Sequence, residues 1–198
     1  MASVHRYLIT GTHGCGKSTL SHRICSEFKK SGYNAIVLSE TARESPFPIN
    51  RGQTVNSSLY IALKQAVKEL EAIAHGYQYL VLDRGVLDSF VYSEATRKEE
   101  ISEIERGLLE AFKIWTRDYD DIIFVKKEGN DALQADGIRD TDMEFAEKTE
   151  QLFEHLLMEN FGDKVRVITY GDMLKTRIRI ADGGKIYLDY ERHYELVH

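Results

Sequence analysis

Proline is scarce in these 198 residues: Pro46 and Pro48 are the only two, and both fall between residues 40 and 54. Their pairing marks that stretch as an irregular loop and leaves the rest of the chain free for helices and strands. Cysteine is as rare, with only Cys15 and Cys25. Two cysteines are too few for a disulfide framework and have no metal-ligand partners in spacing, which suits a reducing compartment. No run approaches the roughly 18 apolar residues of a membrane span, and the amino-terminal MASVHRYLIT lacks a signal peptide's apolar core. The expected location is therefore the cytoplasm, without a membrane partner. Basic residues are not in excess either, and the formal net charge of −6 argues against a general nucleic-acid coat.

What is present is ordinary for a soluble globular chain, with 42% hydrophobic and 29% charged residues, and residues 1–198 fit one domain. Short apolar runs at 4–10, 35–39, 79–83, 121–126 and 165–170 alternate with segments of helical period. That alternation predicts an α/β protein, three layers with a five-stranded parallel sheet between helices. Leu20, Ile24 and Phe28 mark the core face of one helix, and Leu59, Leu63, Ala66, Leu70 and Ile73 mark a second. Ile101, Ile104, Leu108, Phe112 and Trp115 mark a third, and Phe145, Thr149, Leu152, Leu156 and Phe161 a fourth. A polar, glycine-containing stretch at about 128–141 reads as a mobile excursion from the fold. Alternation on both sides of Asp182-Gly183-Gly184 reads as a C-terminal β-hairpin at about 175–190.

Gly11-Thr12-His13-Gly14-Cys15-Gly16-Lys17-Ser18 fits G-x-x-x-x-G-K-[ST] without a mismatch, between an expected strand and an expected helix. Glycines let the backbone curl so that successive amides face phosphate oxygens, and the helix that follows adds the positive end of its dipole. Residues 11–19, including Thr19, are the expected contacts of ATP. Lys17 would reach its β- and γ-phosphates and Ser18 would ligate Mg²⁺. His13 and Cys15 occupy free positions of the motif.

Ligands of an open α/β sheet gather beyond the carboxyl ends of its strands. The third such end, in YLVLDRG, delivers Asp83 and Arg84. Asp83 suits the magnesium ion, or alternatively the N-cap of the next helix. Arg84 cannot act as a base, since a guanidinium stays protonated. It suits an anion clamp, on an acceptor phosphate or on the phosphoryl group in flight, or alternatively a structural ion pair. The second strand end delivers Glu40, able to accept a proton from a hydroxyl or to hold an acceptor in line. Arg43 follows as a further contact for acceptor oxygens, with Glu44 as its expected partner. Phe47, Tyr60, Phe90 and Tyr92 could line a base pocket, although Tyr60 and Phe90 suit the core equally well.

GTHGCGKST, the Glu and Arg after the second strand and DRGVLDSFVY together resemble the P-loop nucleoside and nucleotide kinases. The Asp-Arg step followed by Leu87, Ser89 and Tyr92 is similar to thymidylate kinases, and Glu40 stands where deoxynucleoside kinases carry a proton-accepting glutamate. ETARE with DRGVLDSFVY also resembles the small ATPase or kinase family that includes ribosylnicotinamide kinases. The likeness implies transfer of the γ-phosphoryl group of ATP to a nucleotide or nucleoside-type acceptor, with a short lid at about 128–141 whose arginine is here Arg139. It inclines toward a deoxynucleoside monophosphate. A nucleoside or ribosylnicotinamide hydroxyl, a polynucleotide end or modified base, and an acceptor-free ATPase switch are the alternatives. Arg177 and Arg179, on the charged face of the expected hairpin, suit ATP, an anionic acceptor, a second copy of the chain in a homodimer, or solvent.

Overall fold

The computed structural model describes residues 3–97, 100–127 and 143–189. The expected lid, with Arg139, lies outside the described residues. Strands β1 (His5–Thr10), β2 (Ala35–Leu38), β3 (Tyr79–Asp83), β4 (Asp121–Lys126) and β5 (Val165–Thr169) form one sheet in the order β2-β3-β1-β4-β5. All its pairings are parallel. The central strands are apolar because both of their faces are covered: Leu80, Val81, Leu82, Ile122, Ile123, Phe124 and Val125 are fully buried.

Helix α1 (Lys17–Lys30) buries Leu20, Ile24 and Phe28, as its period predicts. Helices α2 (Val55–Ala74), α3 (Asp88–Thr96), α4 (Glu103–Arg117) and α5 (Met143–Phe161) contribute to the larger core, with Phe90, Phe112 and Phe153. A six-residue α6 (Tyr170–Lys175) follows β5, where the sequence had pointed straight to the hairpin. The hairpin itself is β6 (Arg177–Ile180) paired antiparallel with β7 (Ile186–Asp189). Its Ile178 and Ile186 pack with Phe28 and Met173 in the second core. No described helix is long and apolar enough to cross a membrane.

Two core faces match the expected ones only in part. On α2, Leu59, Ala66 and Ile73 face the core as expected, but Leu63 and Leu70 are exposed, and the helix also buries Ser57, Ser58, Ile61, Ala62, Gln65, Glu69 and Ala72. Polar anchors set this rotation. Ser89 Oγ donates to the Ser58 carbonyl at 3.0 Å, while Glu69 accepts from Tyr119 Oη and Trp115 Nε1, both at 2.8 Å. On α4, Ile104 is exposed, while Glu105 is drawn inward to accept from Ser93 Oγ at 2.8 Å and to pair with Arg97.

At the amino-terminal end of the sheet the charges pair off. His5 Nδ1 lies 2.9 Å from Asp120 Oδ1, Arg166 forks onto Asp121, and Tyr7 Oη donates to the Gly184 carbonyl at 2.8 Å.

Candidate active site

The phosphate loop lies between β1 and α1, at the carboxyl end of the sheet. Its glycines are required by geometry: Gly11 and Gly16 have φ of +138° and +83°. A Cβ at Gly11 would lie 2.4 Å from the Val125 carbonyl oxygen, and one at Gly16 would lie 2.4 Å from Met173 Cε. Lys17 is buried and its ammonium donates to the Thr12 carbonyl, 3.6 Å from Cys15 Sγ. Burial, and next the Arg84 charge, push the Lys17 ammonium below its ordinary value. A buried ammonium beside a buried guanidinium calls for an anion. Cys15 is fully buried and donates to the Thr12 carbonyl at 3.0 Å, and His13 is buried within the loop.

Arg84 is buried at the end of β3 with φ of +78°, a left-handed backbone that costs a non-glycine residue about 1–3 kcal/mol. The surroundings hold it there. Its N–H extends the ladder to the Ile9 carbonyl at 3.1 Å. Its side chain reaches Glu40 Oε1 at 3.2 Å, Asp88 Oδ1 at 3.5 Å and Tyr92 Oη at 3.2 Å, with the guanidinium 5.1 Å over the Tyr92 ring. Burial alone would lower the Arg84 guanidinium, but the Glu40 and Asp88 carboxylates and the Tyr92 hydroxyl together raise it well above its ordinary value. Asp88 secures the turn, accepting from the Gly85 N–H at 2.9 Å and from Thr10 Oγ1 at 2.8 Å. Asp83 is not a helix cap, because α3 begins five residues later with Leu87 at the cap position. Asp83 Oδ1 is buried without a hydrogen-bond partner among the described residues.

Two clefts meet here. One, the roomier, is lined by Gly14, Gly16, Lys17, Ser18, Thr19, Tyr170, Met173, Leu174 and Glu40. The other, a narrow one, is lined by Arg84, Gly85, Asp88, Ser89, Tyr92, Thr41, Ala42, Ile49, Asn50, Gln53, Ile61 and Glu40. Glu40 is the wall they share.

Lys17, Ser18, Glu40, Arg84 and Tyr92 are thus brought together around the two clefts. Arg43 is exposed on the short turn Ala42–Glu44, and Phe47 is exposed against Tyr60, ring centroids 6.0 Å apart; neither lines the second cleft. Phe90 belongs to the core. Glu44, read as a partner for Arg43, holds Lys64 at 2.7 Å and Lys68 at 2.5 Å; these hydrogen bonds bring its carboxyl down to about 2. Asp88, Gln53 and Asn50 escaped the sequence reading. The position of Asp88 in DRGVLD, one helical turn after Arg84, was the available signal for the first.

Sheet order, phosphate loop and strand-end cluster define a P-loop nucleotide-binding protein of the three-layer α/β class. Residues 6–175 match the family model described as AAA domain, and the chain belongs to that family. No curated protein sequence matches significantly. Among solved structures, the fold is similar to deoxyadenosine kinase from M. mycoides with bound dATP, at 17% identity and TM-score 0.57, covering 84% of this chain and 91% of that one. It is similar to thymidylate kinase from Ehrlichia chaffeensis at 18% identity and TM-score 0.57, covering 84% and 87%. It is also similar to the NadR protein in complex with NR at 18% identity and TM-score 0.60, covering 83% of this chain and 45% of that one. At these identities the shared property is the fold.

Proposed function

We propose that the protein transfers the γ-phosphoryl group of ATP to a hydroxyl of a nucleoside-type small molecule. The observation that carries this reading is Glu40, which lines both the phosphate-loop cleft and the neighbouring cleft. A carboxylate at that junction can take the proton of a bound hydroxyl while its oxygen attacks the γ-phosphorus and the bond to the β-phosphate oxygen breaks, releasing ADP. Arg84, 3.2 Å from Glu40, holds that carboxylate in place and faces the charge that develops on the phosphoryl oxygens. Lys17 supplies the second cation from the donor side.

A nucleoside monophosphate, the acceptor toward which the sequence inclines, is the less favoured choice. It would add negative charge to a cleft where Glu40 and Asp88 already outnumber Arg84. Mg²⁺ fits the donor side, because Ser18 offers a hydroxyl and Asp83 a buried, unpaired carboxylate oxygen. When bound, the ion would neutralise phosphate charge, with Ser18 and Asp83 holding it.

The test is γ-labelled ATP with Mg²⁺ against nucleosides, ribosylnicotinamide, monophosphates and oligonucleotides. Label is expected on a nucleoside-type alcohol, and Glu40→Gln is expected to lower transfer by about 10²–10⁴-fold while leaving ATP binding within a few-fold. Labelled diphosphate from a monophosphate, unaffected by Glu40→Gln, would overturn the hydroxyl reading. Label appearing only as free phosphate would favour an ATPase switch.

A further inference from the structure

The end of β1 is tied to Arg84 through successive residues. The Arg84 N–H donates to the Ile9 carbonyl at 3.1 Å, and its Nη1 donates at 3.4 Å to the carbonyl of Gly11, the first residue of the phosphate loop. Between them, the buried Thr10 donates from Oγ1 to Asp88 Oδ1 at 2.8 Å, and that same oxygen lies 3.5 Å from Arg84 Nη1. The other oxygen of Asp88 accepts from the Gly85 N–H at 2.9 Å, inside the turn that holds Arg84 at φ of +78°. Asp88 is thus fixed by short hydrogen bonds, whereas the polar contacts of the guanidinium itself, to Glu40, Tyr92, Gly11 and Asp88, run from 3.2 to 3.5 Å. Both Asp88 oxygens are engaged within the chain, which leaves the acceptor's proton to Glu40. A fixed carboxylate beside a loosely held cation sets where that cation rests without gripping it.

We propose that Thr10 and Asp88 are a positioning pair for phosphoryl transfer: Thr10 anchors Asp88 to the base of the phosphate loop, and Asp88 keeps the Arg84 guanidinium between the two clefts, facing the phosphoryl group in flight. The inference rests on the reading of this site as a phosphoryl-transfer centre. Without the Thr10 hydroxyl, Asp88 is free to close its gap to Arg84 and draw the guanidinium off the phosphoryl group. Such alignment matters, since a misplacement of about 1 Å can cost about a hundredfold in rate. Thr10 lines neither cleft, so its loss leaves the contacts to both substrates in place.

The experiment compares Thr10→Val, which removes the hydroxyl, with Thr10→Ser, which keeps it. Two readouts are taken on the full chain, each per folded molecule. One is transfer from γ-labelled ATP to whichever acceptor of the panel above takes the label. The other is calorimetric affinity for ADP with Mg²⁺ and aluminium fluoride, a mimic of the phosphoryl group in flight, against ADP with Mg²⁺ alone. Thr10→Val is expected to lower kcat by about 10–10²-fold with KM for ATP within a few-fold, and to weaken the fluoride complex by a similar factor with ADP affinity unchanged. Thr10→Ser is expected to recover both. In an Arg84→Ala background Thr10→Val should cost nothing further, because its effect passes through Arg84. A Thr10→Val chain with normal kcat and normal affinity for the fluoride complex would overturn the proposal. So would equal losses in Thr10→Val and Thr10→Ser, or an effect undiminished in the Arg84→Ala background. A wild-type chain that labels no acceptor would sink the functional reading instead, and the fluoride complex then decides alone: a wild type that holds it no more tightly than ADP overturns the positioning pair. Should Thr10→Val not fold, Asp88→Asn takes its place, and both readouts unchanged in that variant also overturn the proposal.

Discussion

The two ends of the sheet handle charge in opposite ways. At the amino-terminal end, Asp120 meets His5, Asp121 meets Arg166, and the buried Glu69 receives hydrogen bonds from Tyr119 and Trp115. At the carboxyl end, Lys17 and Arg84 are both buried, Arg84 sits in a left-handed backbone, and Thr12 Oγ1 and Asp83 Oδ1 have no hydrogen-bond partner among the described residues. The amino-terminal end uses most of its polar groups to complete the fold, although Thr116 Oγ1 there has no hydrogen bond among the described residues. The carboxyl end adds a left-handed backbone at Arg84 and an unpartnered carboxylate oxygen at Asp83, which is where a charged ligand returns the most energy.

Arg84→Ala should break this contrast most severely, because Arg84 belongs to both accounts. Removing it leaves Glu40 and Asp88 without their buried cation, with an expected loss of about 3–5 kcal/mol of stability. In the protein that remains folded, phosphoryl transfer should fall by about 10²–10³-fold. Urea denaturation and the labelled-ATP assay read the two losses separately, and a stability loss with normal transfer per folded molecule would make Arg84 purely structural.

Tyr119→Phe sharpens the contrast from the other end. It removes a buried hydrogen bond to Glu69 and should cost about 1–3 kcal/mol with turnover unchanged below the melting range. A comparable drop in turnover would show that the two ends are coupled.

The smallest expected effect is in pH dependence. Burial raises the Glu69 carboxyl above its ordinary value of 4.5, so the unfolded chain gives up that proton first. Stability therefore falls as pH rises from 4.5 through the raised folded value. Glu69→Gln should flatten that fall, measured by urea denaturation across the acid-to-neutral range. The flattening is partial, because burial also raises Asp88 and Asp121. An unchanged slope would assign the whole effect to those two.

Much of this was legible in the sequence. The strands were, because parallel strands covered on both faces are continuous apolar runs such as Tyr79–Asp83. So was the phosphate loop, whose curled backbone requires its glycines at fixed offsets. The rotation of α2 was not, because Leu63 and Leu70 fit a helical core face as well as Ala62 and Ala72 do, and only contacts far along the chain, Ser58 to Ser89 and Glu69 to Tyr119, decide between them. The direct pairing of Glu40 with Arg84 was hidden for the same reason: the two residues are separated by the whole of α2. Phe47 had the right chemistry for a base pocket, but its place beside Tyr60 depends on the path of the proline loop.

That loop is secured at several points. Glu44 is tied to two lysines of α2, Ser57 Oγ donates to the Pro48 carbonyl at 2.6 Å, and Thr54 and Ser57 cap the helix reciprocally. A wall fastened in this way exists before anything enters the cleft. The acceptor should therefore meet a loop wall already in place on this side of the cleft, rather than one that it must order itself.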